Sequence, residues 1–219
     1  MARKNFHDLQ EYIQYLRKIG DVEYIKAEVD PVLEVTEIAD RVIKERGPAL
    51  IFENVKGASY QLAMNHLGTD EWRALALGRR PREVGEELVE LFHKVTPPSI
   101  KSLFSILPKA YDLINMRTSK SRFGISQQIE ERPNLSKLPV IKCWPLDGGK
   151  FITFGLVLTE EPSTSKRNLG IYRMQVYDEN TTGMHWHPHK GGAAHYHEAG
   201  KLGRDLDVAV VLGGDPKMI

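Results

Sequence analysis

The stretch from Asp21 to Val55 constrains this chain most, because a strand pattern, a helix pattern and a second strand pattern follow one another with a breaker at each junction. "DVEYIKA" reads as a strand, "DPVLEVTEIADRVIKERG" as a helix opened by Asp30-Pro31 and closed by Gly47, and "PALIFENV" as a strand. Ahead of them Leu9, Ile13 and Leu16 recur at helical spacing, with Asn5 as the expected cap and Gly20 as the stop. "YQLAMN" adds a strand-like run, and helices are expected near residues 70–78 and 82–95, the second ending before Pro97-Pro98. Such alternation predicts an α/β layer over the amino-terminal part of the chain.

The texture then changes. Residues 97–136 are mixed and read as a connector with a short helix or two. From Leu138 the apolar runs turn strand-like: "LPVIKCW", "FITFGLVLT", "LGIYRMQVYD" and "TGMHWH", separated by Pro, Gly, Asp, Ser and Thr clusters. This predicts a second, β-rich region with the character of a barrel. Within it "HKGGAAHYHEAGKLG" predicts a helix from the double glycine to Gly200 or Gly203. The last run, "VAVVLGG", is apolar on both faces and so needs cover on both. Either the first ninety or so residues supply that cover or the chain is incomplete.

Composition narrows the function classes. The 219 residues are 41% hydrophobic, enough for a folded core. Thirty Lys and Arg against 29 Asp and Glu leave a formal charge of +1, so no broad positive field exists for nucleic acid or an anionic membrane, and any anion site must be local. The single cysteine, Cys143, excludes an intramolecular disulfide and a cysteine-built metal site. "MARKNFHDLQ" has no apolar core behind its basic residues and "ITFGLVL" is too short to span a bilayer, so a soluble cytoplasmic protein with no integral membrane segment is expected.

Five of the eight histidines fall between residues 185 and 197. In an extended strand His185, His187 and His189 project to one face, which suggests a metal site; hydrogen bonding to solvent, or a strand broken at Pro188, explains the same pattern without one. A cupin-like site wants an acid where Gly191 and Gly192 stand, and no His-Glu-x-x-His string occurs. Lys190-Gly191-Gly192 at a strand-to-helix junction could cradle a phosphate or be a plain turn. Arg173, on a strand with Ile171, Met174 and Val176, offers a bidentate clamp for a carboxylate or phosphate, or is an outward strand residue. Met174, Trp186 and Tyr172 could line a flat ring or belong to the core.

Together, Asn-x-Gly-x-Tyr-Arg (168–173), Met-x-Trp-x-x-His-Lys-Gly-Gly (184–192) and Leu-Gly-Gly-Asp-Pro (212–216) resemble the UbiD family of reversible decarboxylases. The resemblance runs the length of the chain from "RVIKERGPALIFENVKG" onward, dense from Leu138 to Pro216 and looser through residues 97–130. It implies a mixed α/β and α+β fold, with an amino-terminal α/β domain over residues 1–115 and part of a split β-barrel flavin-binding domain over residues 116–219. It implies prenylated FMN with a divalent metal, usually manganese, and often potassium. Asn168 and His189 would then hold the metal. Ile171, Tyr172, Arg173, His185, Trp186 and His187 would contact the flavin, with Lys190 and Gly191 near its phosphate. Arg173 would hold the carboxylate of an aromatic or α,β-unsaturated acid, in a reaction suited to quinone biosynthesis. His195 and His197 are expected at the surface or behind the site.

Family members run to about twice this length. Their remaining part supplies a metal-binding glutamate and the acid and base, roles for which neither Glu198 nor Asp205 is a match. The chain is therefore expected to be a fragment, a truncated frame or one half of a split enzyme whose partner chain completes it, the full-length form being a homo-oligomer. Two other readings stand beside the decarboxylase: a non-catalytic flavin- or metal-binding module, and a zinc hydrolase built on the histidines.

Overall fold

The computed structural model describes residues 5–95 and 121–219, and the chain divides into two units, residues 1–78 with 133–219, and residues 79–132. Helix α1 (Leu9–Lys18) starts at Asp8 rather than Asn5. The Asp8 carboxylate accepts the Glu11 N–H at 2.8 Å and Glu11 Oε2 accepts the His7 N–H at 2.9 Å, so the first turn closes on its own side chains. Gly20, at φ 86°, turns the chain out of the helix.

Strands β1 (Val22–Val29) and β2 (Ala49–Val55) pair in parallel, linked by α2 (Glu34–Lys44), and β3 (Leu62–Met64) adds antiparallel to β2. The central β2 is buried on both sides, which explains its unbroken apolar start. Ala49 and Ile51 join Phe6, Tyr12, Leu16, Trp72 and Ala76; Leu50 and Phe52 join Val29, Val35, Ala39, Val55 and Ile141. Asp30-Pro31 builds a turn ahead of α2 rather than its first residues: Asp30 Oδ1 accepts the Val32 N–H at 2.8 Å, and Leu33 is left-handed at φ 70°.

Helix α3 (Asp70–Leu77) is capped by Thr69 and ended by Gly78 at φ 72°. Its Trp72 Nε1–H donates to Asp21 Oδ2 at 3.1 Å, and the Tyr12 hydroxyl reaches the carbonyls of His66 (3.0 Å) and Trp72 (3.1 Å), so these large rings carry their polar atoms inside without leaving them unmet. In the second unit, α4 (Pro81–Val95) carries the ion pairs Arg79–Glu87 and Arg82–Glu86. Much of the connector expected to hold short helices lies outside the described residues; in the rest Ile125–Gln127 and, at its end, Leu135–Lys137 form 3₁₀ turns.

Beyond residue 133 the sequence's long apolar runs are cut. "FITFGLVLT" divides into β4 (Lys150–Ile152) and β5 (Leu156–Glu160), and "LGIYRMQVYD" into β6 (Arg167–Ile171) and β7 (Met174–Val176). β8 (Thr182–Met184), α5 (Gly191–Lys201) and β9 (Val208–Val211) follow, while "LPVIKCW" contributes only single bridges, Val32–Lys142 and Ile141–Phe151. The strands form two antiparallel sheets, β4-β7-β8 and β6-β5-β9, so each cut passes the chain from one sheet to the other. Val157, Tyr172 and Met174 are buried together, with Ile152, Met184 and Trp186 packed against them. Of the alternatives for "VAVVLGG", cover by the amino-terminal residues is not found among the described residues: β9 is an edge strand there, and Val208, Val210 and Val211 are exposed. The amino-terminal layer meets the residues just after it, Leu9 N–H donating to the Gly213 carbonyl at 3.0 Å.

After β3, His66 is 9% exposed, its ring edge-on to Phe154, and among the described residues neither ring nitrogen has a hydrogen-bond partner. Burial pushes its pKa down from 6.5 to about 4. Below pH 6.5 the unfolded chain takes up a proton that the folded chain refuses, so stability present above that pH is lost as pH falls towards 4. The loss attributable to this residue is about 3 kcal/mol. Chemical denaturation at pH 7 and at pH 4.5 should show the parent losing more stability than His66→Phe; parallel losses in the two proteins would contradict it.

Candidate functional site

The site assembles where β6, the break after it and the start of α5 meet. Register places Asn168 opposite Thr159, so both side chains point to the same face of their sheet. Helix α5 covers that face. His195 Nδ1 lies 2.9 Å from Thr159 Oγ1 with both residues buried, which makes His195 an interior anchor of the helix rather than a surface residue; His197 is exposed.

Asn168 Nδ2 donates to Tyr172 Oη at 3.2 Å, and the Gly192 N–H donates to the same oxygen at 3.0 Å. The Tyr172 ring is buried and meets Trp186 edge-on at 4.9 Å. With its nitrogen on Tyr172, Asn168 turns Oδ1 to the helix start: a Cβ on Gly191 would lie 2.2 Å from it. A Cβ on Gly192 would lie 1.9 Å from Trp186 Cζ3. Both glycines are therefore there for close approach. Lys190 caps α5 from an extended conformation (φ −96°, ψ 151°) without a side-chain cap bond. First-turn N–H groups lack intrahelical acceptors, so this end carries positive potential, to which Lys190 adds its charge.

The three alternating histidines do not share a strand face. β8 ends at Met184, the His185 N–H donates to the Arg173 carbonyl at 2.9 Å, and Pro188-His189 forms a turn that hands the chain to α5. Pro188 has no N–H to continue a ladder. The rings of His185 and His187 meet at 4.9 Å, His189 is exposed in the turn, and among the described residues no group of three His, Cys, Asp or Glu gathers as a metal site. Ile171 is exposed at the end of β6.

Arg173 occupies the β6–β7 break. Its guanidinium carbon lies 3.8 Å above the Phe151 ring, and Nη2 donates to Asp147 Oδ2 at 2.8 Å. Burial disfavours the Asp147 charge, but the Arg173 bond and neighbouring backbone N–H groups outweigh it and hold the carboxyl below the usual carboxylate range. Sequence reasoning singled out neither Asp147 nor Phe151. The one available signal was "LDGGKF", an acid and a turn directly before a strand.

Residues 13–92 match the family model for the 3-octaprenyl-4-hydroxybenzoate carboxy-lyase N-terminal domain, and residues 117–219 that for the Rift-related domain of the same carboxy-lyase. The chain belongs to the UbiD family. An uncharacterized protein of Archaeoglobus fulgidus is 40% identical over 213 residues, covering 96% of this chain and 44% of its own length. Among solved structures, vanillic acid decarboxylase of Sedimentibacter hydroxybenzoicus in closed form aligns with a TM-score of 0.76 at 24% identity, covering 97% of this chain and 44% of that one. An evolved dimeric form of the UbiD-class enzyme HmfF from Pelotomaculum thermopropionicum, in complex with prFMN, aligns at 0.69 and 23%, covering 96% and 45%. The chain thus spans less than half the length of these relatives, and the two solved structures show its fold: an α/β domain followed by part of a β-rich domain.

The glycine contacts generate a paired prediction for the UbiD helix start. Gly192→Ala should lower stability by about 1–3 kcal/mol through overpacking against Trp186. Gly200→Ala, with nothing within 4 Å of its Cβ position, should raise stability by about 0.5–1 kcal/mol. Thermal denaturation of both variants checks this; equal shifts in one direction would contradict the contact geometry.

Proposed function

We propose that this chain works within a reversible, non-oxidative decarboxylase acting on an aromatic or α,β-unsaturated carboxylic acid with prenylated FMN. The carboxy-lyase description of the matching family models supports this reading, as does the prFMN held by the related HmfF. The family description also supports a 4-hydroxy-3-polyprenylbenzoate type of substrate and a place in quinone biosynthesis. We assign residues 1–115 to the α/β domain and residues 116–219 to the flavin-binding part. The single cysteine supports a reducing, cytoplasmic location, and no helix of the described residues is long and apolar enough to cross a membrane. We expect the working enzyme to be a homo-oligomer or to include a partner chain that completes the site.

The observation that carries the reading is the Asn168 amide, fixed by Tyr172 so that its oxygen faces the glycine start of α5. An oxygen donor beside a helix amino terminus fits a phosphate with a hard cation. Asn168 Oδ1 and the His189 imidazole are the donors this chain would offer Mn²⁺, with K⁺ as an accompanying ion, and Lys190 and Gly191 would hold the flavin phosphate. Ile171, Tyr172, His185, Trp186 and His187 would wall the ring and exclude water. Prenylated FMN, when bound, supplies the electron sink that loss of CO₂ requires. Arg173 binds and orients the carboxylate.

Two measurements on the completed enzyme, full-length or with its partner chain, reconstituted with prenylated FMN and Mn²⁺ test this: CO₂ release and solvent-deuterium exchange into the product. Arg173→Ala should lower both by about a hundredfold or more, with the flavin absorbance retained. Turnover at the parent rate in that variant removes Arg173 from the reaction.

A further inference from the structure

The Arg173 corner contains a residue that nothing above gives a role. We infer that Asp147 is a positioning residue, which with the Phe151 ring holds the Arg173 guanidinium in one plane and leaves its remaining donors for the carboxylate of a ligand. The inference rests on the reading of Arg173 as the carboxylate-binding group. Among the described residues, Asp147 takes only Nη2 of the guanidinium, at 2.8 Å, and Phe151 closes one face at 3.8 Å. A guanidinium has five N–H donors, so one monodentate bond together with the Phe151 contact restrains the group without exhausting its donors. The Arg173 side chain remains 37% exposed, against 13% for Asp147.

The Asp147 turn is also held independently of Arg173. The Trp144 N–H donates to Asp147 Oδ2 at 3.2 Å and the Asp147 N–H to the Trp144 carbonyl at 3.1 Å. Gln175 Nε2 donates to the Gly148 carbonyl at 3.0 Å, and Phe151 pairs with Gln175 in the β4–β7 ladder. Arg173 and Gln175, two residues apart along the chain, thus both reach the turn that precedes β4. A carboxylate fixed this way sets the angle of the arginine before any ligand arrives, which is where preorganisation contributes most.

The test uses the full chain with benzoate as probe, bound affinity read by NMR titration and folding checked by circular dichroism. Asp147→Ala should weaken benzoate binding about tenfold, the scale of a lost charge-assisted hydrogen bond, while Asp147→Asn, which keeps an oxygen for Nη2, should stay within about twofold of the parent. Unchanged or tighter binding in Asp147→Ala would overturn the inference, tighter binding showing Asp147 to be a competitor for the arginine. Equal weakening in both variants would overturn it too, since the oxygen kept by Asp147→Asn would then hold nothing. Arginine ¹⁵N spectra of the parent give a readout that needs no folded variant at Asp147: separate Arg173 Nη signals are expected, and one averaged signal contradicts a held guanidinium. Arg173→Ala separates the two levels of argument. If it binds benzoate like the parent, the carboxylate-binding reading itself fails; if it loses binding while Asp147→Ala does not, only the role of Asp147 fails.

Discussion

The hydroxyl of Tyr172 accepts the Asn168 amide and the Gly192 N–H inside a shell of apolar side chains. The Gly192 N–H is buried, where an unmet N–H costs about 1–3 kcal/mol, and Asn168 is half-buried, so this one oxygen ties β6 to the start of α5. Its ring meets Trp186, and Trp186 in turn fills the space that a side chain at Gly192 would occupy. The direction of the Asn168 oxygen, the position of the helix amino terminus and the close passage of the 186–192 segment are therefore not separate features. Each depends on the same buried phenol.

That phenol sits where it does because the strand is cut. If residues 167–176 formed one strand, Tyr172 and Met174 would stay in a single sheet; instead the break at Tyr172-Arg173 sends β6 and β7 to different sheets and leaves both side chains in the core between their strands. The cut between Ile152 and Leu156 does the same for β4 and β5. Gly155 permits it, since a Cβ there would meet Met174 Cε at 2.8 Å. At the break the Arg173 carbonyl accepts the His185 N–H, while Phe151 and Asp147 meet its side chain.

The amino-terminal layer was legible because its signals are local and periodic: an apolar repeat marks α1, and a continuous apolar start marks β2 as buried on both faces. The misplaced details were capping chemistry. Asn5 and Asp8 both suit a helix start, and the bond from the Glu11 N–H to the Asp8 carboxylate, with Glu11 reaching back to His7, selects Asp8; Asp30-Pro31 reads as a cap but makes a turn. In the carboxy-terminal part, strand content was legible and strand ends were not, since two short strands in different sheets leave the same apolar run as one long strand. The Thr159–His195 contact, 36 residues apart, and the Asp147–Arg173 pair, 26 apart, have no sequence periodicity to announce them.

The histidine window shows how far spacing alone misleads. Alternation at residues 185, 187 and 189 brings three imidazoles to one volume only if the backbone stays extended. Pro188 and the glycine start of α5 bend it instead, so His189 occupies a turn while His185 and His187 keep each other's company. Polar donors do converge nearby, but they come from residues that alternation does not pick out: an amide on β6, a phenol at the strand break and backbone N–H groups at a helix start. On the proposed reading, donors of that kind would suit a phosphate-bearing ligand with a hard cation, and a zinc site would instead need imidazoles brought together. In the ordered motif Asn-x-Gly-x-Tyr-Arg, by contrast, Asn168, Tyr172 and Arg173 each hold a defined contact in the fold, joining β6, the strand break and the start of α5.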